Sequence, residues 1–320
     1  MAQGQAGQVG FSFQNSFGGS SVASMHYMPF ISEGFQEKIP RITAEGMRSR
    51  YESGPRFAGF NEYAGELVTE VHPILIGKIL KGWCGQNSSV ATGSYITHTF
   101  LPRTTDWDTS HASLPPLTAE VYRDTGSAML YSDMLIDGFT LDIAHGKLLK
   151  MTASCIGANA AKSAKTTPTY LSGSEFTWNQ CSISLGGSGQ DDISQLTIKG
   201  SNALEAKGTL DGTLKPNRIL RNGIRTLEIS GTMILDGDTQ RDAYRAGTAQ
   251  QLIVTVTGQE CCSGFNTMLK IDIPSMIYTE FPDNIGGPGL IEVGFKAEAD
   301  YNTNSATMVK FTLINSQTAY

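Results

Sequence analysis

Apolar and polar residues alternate with period two along most of this chain, in runs bounded by Gly, Pro, Asn and Asp, which is the pattern of half-buried strands. The alternation predicts strands at residues 57–70, 117–123, 129–142, 148–156, 175–185 and 193–199. Further strands are predicted at 226–235, 252–257, 268–280, 290–299 and 307–314. Two segments carry a helical period instead. Residues 72–81 place Ile74, Leu75, Ile79 and Leu80 on one face, with Pro73 in the first turn and Gly82 able to end the helix. The second helix starts at Asp238 or Thr239 and stops at Gly247. The expected fold is mainly β with two short helices.

The helices expose an internal repeat. Tyr63-Ala64-Gly65-Glu66-Leu67-Val68 lines up with Ile229-Ser230-Gly231-Thr232-Met233-Ile234, and each segment precedes a helix. Downstream, Leu117-Thr118-Ala119-Glu120-Val121 matches Leu252-Ile253-Val254-Thr255-Val256, Met129-Leu130 matches Met268-Leu269, and 148–157 matches 290–299. One insertion in the first half, 84–116, accounts for the changing spacing. The expected organisation is a flexible N-terminal arm (1–25), a first domain (26–157), a polar linker (158–174) and a second domain (175–320).

Alternation also sorts charge. Glu62, Glu66 and Glu70 share one strand face, opposite Tyr63, Gly65 and Leu67. Glu228 and Asp236 repeat this in the second half, and Glu292, Lys296 and Glu298 face away from Ile291, Val293, Phe295 and Ala297. Asp133, Asp137 and Asp272 extend the acidic set, and Lys150, Lys270 and Lys296 partly offset it. The long loops lean the other way. The first carries Arg41, Arg48, Arg50 and Arg56, and the second carries Lys207, Lys215, Arg218, Arg221 and Arg225. A plain solvated surface has this pattern, and so does a surface that sets register between copies by charge complementarity.

Composition narrows the classes. The 320 residues include 24 Lys+Arg against 30 Asp+Glu, a net charge of −6, and only 17% are charged. An average soluble chain has about 25%. With 35 glycines and 40% apolar residues, the chain suggests many turns and a surface partly covered by partners, and excludes disorder and collagen. No apolar run is long enough for a membrane helix, and the N-terminus lacks the basic start and apolar core of a secretory signal. Five cysteines, an odd number in a large chain, fit reduced thiols. His26, His72, His98, His111 and His145 are scattered, and no HExxH, GxSxG or phosphate-cradling loop is present. We therefore expect no catalytic residues, metal or cofactor.

The chain resembles the major tail tube protein of long-tailed, siphovirus-type bacteriophages in its duplicated-domain form. The resemblance spans about residues 28–314 and rests on the order of several segments. These are Pro29-Phe30-Ile31-Ser32-Glu33 before the Arg-rich loop, Gly65-Glu66 before the helix with Ile74 to Leu80, and Tyr95-Ile96-Thr97-His98-Thr99-Phe100-Leu101-Pro102. Leu117 to Val121 and Asn284-Ile285-Gly286-Gly287-Pro288-Gly289-Leu290-Ile291-Glu292-Val293 complete the set. The Gly- and Phe-rich start, 1–24, departs from the family pattern.

The resemblance implies two tandem β-sandwich or barrel domains, each with a flanking helix, in a structural virion protein that is not an enzyme. Rings of such proteins join their inner sheets into one barrel and stack into a channel for viral DNA. A duplicated chain would form the ring as a homotrimer with pseudo-sixfold symmetry, a homohexamer being the alternative. Partners would be further copies, tape-measure, tail-terminator and distal tail proteins, with double-stranded DNA passing through. Assembly would occur in the host bacterial cytoplasm. On this reading Glu62, Glu66, Glu70, Asp133, Asp137, Glu228, Asp236, Asp272, Glu292 and Glu298 line the lumen. Arg41, Arg48, Arg50, Arg56, Lys215, Arg218, Arg221 and Arg225 contact the next ring, and the N-terminal arm orders on a neighbour. Competing readings are the tube of a contractile tail or secretion system, and a phage adhesin or carbohydrate-binding β-sandwich.

Overall fold

Apolar residues at every second position require a sheet with one dry face, and the computed structural model has such a sheet in two connected layers. It describes residues 3–19, 25–47, 49, 51–171, 173–262, 264–282, 284 and 289–320. The first half contains β1 (Gly7–Phe13), β2 (His26–Met28), β3 (Ser32–Glu33), β4 (Gln36–Lys38), the hairpin β5 (Arg41–Thr43) and β6 (Arg56–Ala58), and β7 (Glu62–Glu70). After helix α1 (Ile76–Cys84) come β8 (Gly85–Thr92), β9 (Tyr95–Pro102), β10 (Leu117–Arg123), β11 (Ala128–Ala144), β12 (Lys150–Gly157) and β13 (Asn159–Ser163). The second half contains β14 (Cys181–Leu185), β15 (Ser188–Gln190), β16 (Ile193–Ser201), the hairpin β17 (Leu204–Lys207) and β18 (Arg218–Arg221), and β19 (Thr226–Ile234). Helix α2 (Thr239–Ala246) leads to β20 (Gln250–Cys262), β21 (Phe265–Glu280), β22 (Glu292–Ala299) and β23 (Lys310–Asn315).

Eight antiparallel positions form one continuous sheet: β3 with β4 in series, β7, β12, the end of β11, β16, β19, β22 and the end of β21. The two longest strands, β11 and β21, also enter the other layer. The start of β11 pairs with β10 and β13, and the start of β21 with β20 and β23. Pairing relations recur between the halves: β1 flanks β10 as β14 flanks β20, and β4 flanks β7 as β16 flanks β19. The ion pairs Lys38–Glu62 and Lys199–Glu228 recur at these last two junctions. Hairpin β8–β9 falls in the first-half insertion, yet β9 pairs with β23 of the second half. Between the layers, Trp83 of α1 packs edge-on against Phe139 and Phe311. The C-terminus closes this junction, with the Tyr320 hydroxyl donating to the Ile74 carbonyl and Lys81 Nζ to the Tyr320 carbonyl oxygen.

Several expectations are corrected. The supposed arm contains β1, paired on both edges, with Val9 and Phe11 buried; the intervening glycines and glutamine had hidden a period-two strand. The supposed linker opens with β13, paired to β11. Helix α1 begins at Ile76, past the Pro73 turn, and runs through the buried Gly82 to a left-handed cap at Gly85 (φ 78°). The span 175–185 is a 3-10 turn (Trp178–Gln180) followed by β14.

Gly65 and Gly231 do the same steric work in the two halves. A Cβ on Gly65 would lie 2.5 Å from Phe35 Cα, and one on Gly231 would lie 2.6 Å from the Gln195 carbonyl oxygen. Gly65→Val and Gly231→Val should each cost about 1–3 kcal/mol by forced overpacking. Chemical denaturation checks this, and unchanged midpoints would refute it.

Candidate functional site

The outer face of the eight-position sheet gathers eight carboxylates from both halves of the chain. Because residues paired in register share a face, cross-strand rows can be followed from edge to edge. One row runs Glu280, Lys296, Ser230, Thr197, Asp142, Lys150 and Glu70. Within it Lys296 lies 2.9 Å from Glu280, and the Thr197 hydroxyl donates to Asp142 at 2.7 Å. A second row runs Glu298, Glu228, Lys199, Thr140, Thr152 and Val68, with Lys199 3.5 Å from Glu228. Glu66 accepts a hydrogen bond from the Ser154 hydroxyl, Lys38 pairs with Glu62, and Glu292 ends the face beyond Ile234. Among the described residues the face carries Glu62, Glu66, Glu70, Asp142, Glu228, Glu280, Glu292 and Glu298 against Lys38, Lys150, Lys199 and Lys296. It is acidic, and hydroxyls and glycines fill the space between charges.

Six of the ten expected acids lie on this face, and Asp236 is exposed just beyond β19. The other three do not belong to it. Asp133 is 7% exposed and accepts bonds from the Gly18 amide at 2.7 Å and from the Gln14 side chain. Asp137 accepts the Leu204 amide at 2.7 Å. Asp272 lies where β21 runs between β20 and β23, and accepts the Gln251 amide group at 2.7 Å. Asp133 has φ 56°, and the β11–β12 register shifts between Ile136 and Gly138. Alternation counted straight through these irregularities assigns the wrong face, which also explains why Asp142 was missed. Burial raises the pKa of both Asp133 and Asp137 above the ordinary carboxylate range.

The basic loops also divide. Arg41 and Arg56 are exposed on hairpin β5–β6, whereas Arg48 and Arg50 lie outside the described residues. Arg225 turns into its own chain: Nε donates to Asn202 Oδ1 at 2.7 Å, Nη2 donates to the Arg103 carbonyl at 3.2 Å, and the guanidinium lies over Trp83. Burial lowers its pKa to about 10. Arg221 is also largely covered and faces Asp106 at 4.0 Å. Lys215 donates to Asn159 of the first half. Arg218 ends β18 half-buried. The expected contacts Arg221 and Arg225 are thus internal ties in the single chain.

Among the described residues, no group of three or more His, Cys, Asp or Glu is placed to hold a metal, and no helix is long and apolar enough to cross a membrane. A family model described as phage tail tube protein matches residues 4–303. No curated protein matches the chain.

Asp137 gives the fold a testable pH response. Its folded pKa is raised by burial, so the stability it contributes is full below the ordinary aspartate value and is lost as pH rises through the raised value. Asp137→Asn keeps an oxygen for the Leu204 amide and removes the titration. The variant should lose less stability than wild type across that mildly acidic interval, as read by thermal unfolding at stepped pH. Parallel stability curves would show that the aspartate is not the cause.

Proposed function

Since the chain belongs to the phage tail tube protein family, we propose that it is a duplicated-domain, siphovirus-type member whose copies close into rings that stack as a DNA-conducting tube. The two units of the duplication are the expected 26–157, extended to take in β1 as the counterpart of β14, and 175–320. The observation that carries this reading is the eight-position sheet with one wet face and two edges that are unpaired among the described residues, β3 with β4 at one end and the end of β21 at the other. Within the chain, the end of β11 pairs with β16 to join the halves. The end of β21 and β4 occupy the same positions in the repeat, so a second copy can continue the sheet by the same junction. Three copies supply about 24 strand positions, a circumference of ~115 Å at ~4.8 Å per strand and a diameter of ~37 Å before tilt. That bore admits a DNA duplex, and closure removes both edges.

In this arrangement the wet face lines the bore. Its net negative charge repels phosphates, and Lys38, Lys199 and Lys296 sit beside carboxylates instead of standing free to bind them. Ring-to-ring contact falls to the tips of the two long loops, where Met47, Tyr51 and Leu210 are fully exposed. Tape-measure, tail-terminator and distal tail proteins would complete the tail.

Negative-stain imaging with mass measurement of the purified protein, seeded with sheared tails, tests the assembly. Hollow rings of three chains are expected; six-chain rings would favour the homohexamer, and persistent monomers would count against the tube. Virions carrying Glu66→Lys with Glu292→Lys should eject DNA severalfold more slowly. Normal ejection kinetics would remove the wet face from the bore.

A further inference from the structure

Hairpins β5–β6 and β17–β18 hold the same place in the two halves, each between the strand that opens the sheet and the strand beside it, but their surroundings differ. Hairpin β17–β18 follows β16, which pairs with β11, and it lies over the first half. Leu204 and Ile219 are buried there with Ala112, Leu114, Leu135 and Ala158, a cluster separate from the main core. The Leu204 amide donates to Asp137, the Ser113 amide donates to the Ile219 carbonyl at 3.1 Å, and Lys215 donates to Asn159.

Hairpin β5–β6 has no such cover. Arg41, Ile42, Thr43, Arg56 and Phe57 are all exposed, with Ile42 at 60% and Phe57 at 58%. A two-stranded hairpin solvated on both faces is marginally stable in water, and two large apolar side chains opposite each other in register add a further incentive for cover.

We infer that hairpin β5–β6 docks on the second half of the next copy in the ring, at the place that β17–β18 occupies on the first half. The inference rests on the ring reading, because it follows from the sheet junction. If β4 continues the sheet from a neighbour's β21, as β16 does from β11, the hairpin after β4 is carried over that neighbour's second half. On the first half the acceptor is the end of β12, with Ile156 and Ala158 beneath the hairpin. The matching end of β22 carries Glu298, Asp300 and Tyr301, all exposed, Tyr301 at 60%. Arg41 and Arg56 are complementary to Glu298 and Asp300, and Ile42 and Phe57 to the Tyr301 ring. The second half lacks a counterpart of the insertion that bears Ala112 and Leu114. Its acceptor is correspondingly open, which suits the bulk of Ile42 and Phe57.

A charge swap in the full-length protein tests this in seeded assembly followed by sedimentation and negative stain. Arg41→Glu with Arg56→Glu should raise the concentration needed for ring formation about tenfold, since like charges then face each other across the contact. Glu298→Arg with Asp300→Arg should do the same, and the four substitutions together should restore assembly to within about twofold of wild type. All four positions are exposed, and an unchanged thermal melt of the monomer shows that the fold is intact. Rings formed normally by the Arg41/Arg56 variant would overturn the docking while leaving the ring intact. A four-fold variant as defective as either pair would overturn the Glu298/Asp300 acceptor. Absence of rings from the wild-type chain would instead overturn the ring reading beneath it.

Discussion

A sheet with open edges leaves rows of backbone N–H and C=O groups that water satisfies only while nothing else pairs with them. The rest of this structure can be read from that constraint. Within the chain the problem is solved once, where the end of β11 takes β16 as its neighbour and the two halves become one sheet. It is solved again in the other layer, where β23 is covered by β9 from the first-half insertion. In the eight-position sheet the edges left over among the described residues are those of β4 and the end of β21, the counterparts of β16 and the end of β11. Two open edges of one sheet, each the counterpart of a strand already paired within the chain, are suited to repetition between copies.

The same constraint explains why β11 and β21 are so long. Each belongs to both layers, and a change of layer requires a local break in regular pairing. Asp133 with its positive φ and the register shift before Gly138 provide that break in β11, and in β21 the register against β20 shifts between Ile273 and Met276, where pairing passes to β22. Breaks of this kind are where reading from sequence fails. Glu62, Glu66 and Glu70 could be assigned to the wet face because β7 pairs without a bulge, whereas Asp133 and Asp137 were misassigned because parity is lost between them and the end of β11. The mainly β class and α2 were legible because they depend on period and spacing. Strand β1 was not, since Gly7 and Gly10 dilute the apolar pattern of Val9, Phe11 and Phe13. Nor could sequence reveal that Arg225 turns inward, because its partners Asn202 and Arg103 are brought to it only by the fold.

The placement of cations follows a chemical division. The described wet face carries lysines and no arginine; the described arginines lie on loops, at strand ends, on α2 or inside the chain, as with Arg41, Arg123, Arg221, Arg225 and Arg245. A guanidinium is a rigid fork that grips carboxylate or phosphate with two parallel hydrogen bonds, whereas an ammonium is a compact, strongly hydrated point charge. If this face lines the bore as proposed, a free arginine would act as a brake on a passing polyanion. A lysine beside Glu62, Glu228 or Glu280 relieves repulsion among neighbouring carboxylates while leaving the local charge negative or neutral. Hydroxyls and glycines between the charged rows, such as Ser230, Thr140, Thr152 and Gly294, add little that could bind phosphate tightly. The acidic lean of this one face therefore rests on the excess of its carboxylates over its lysines, with no guanidinium among them to hold a phosphate in a fixed two-pronged geometry.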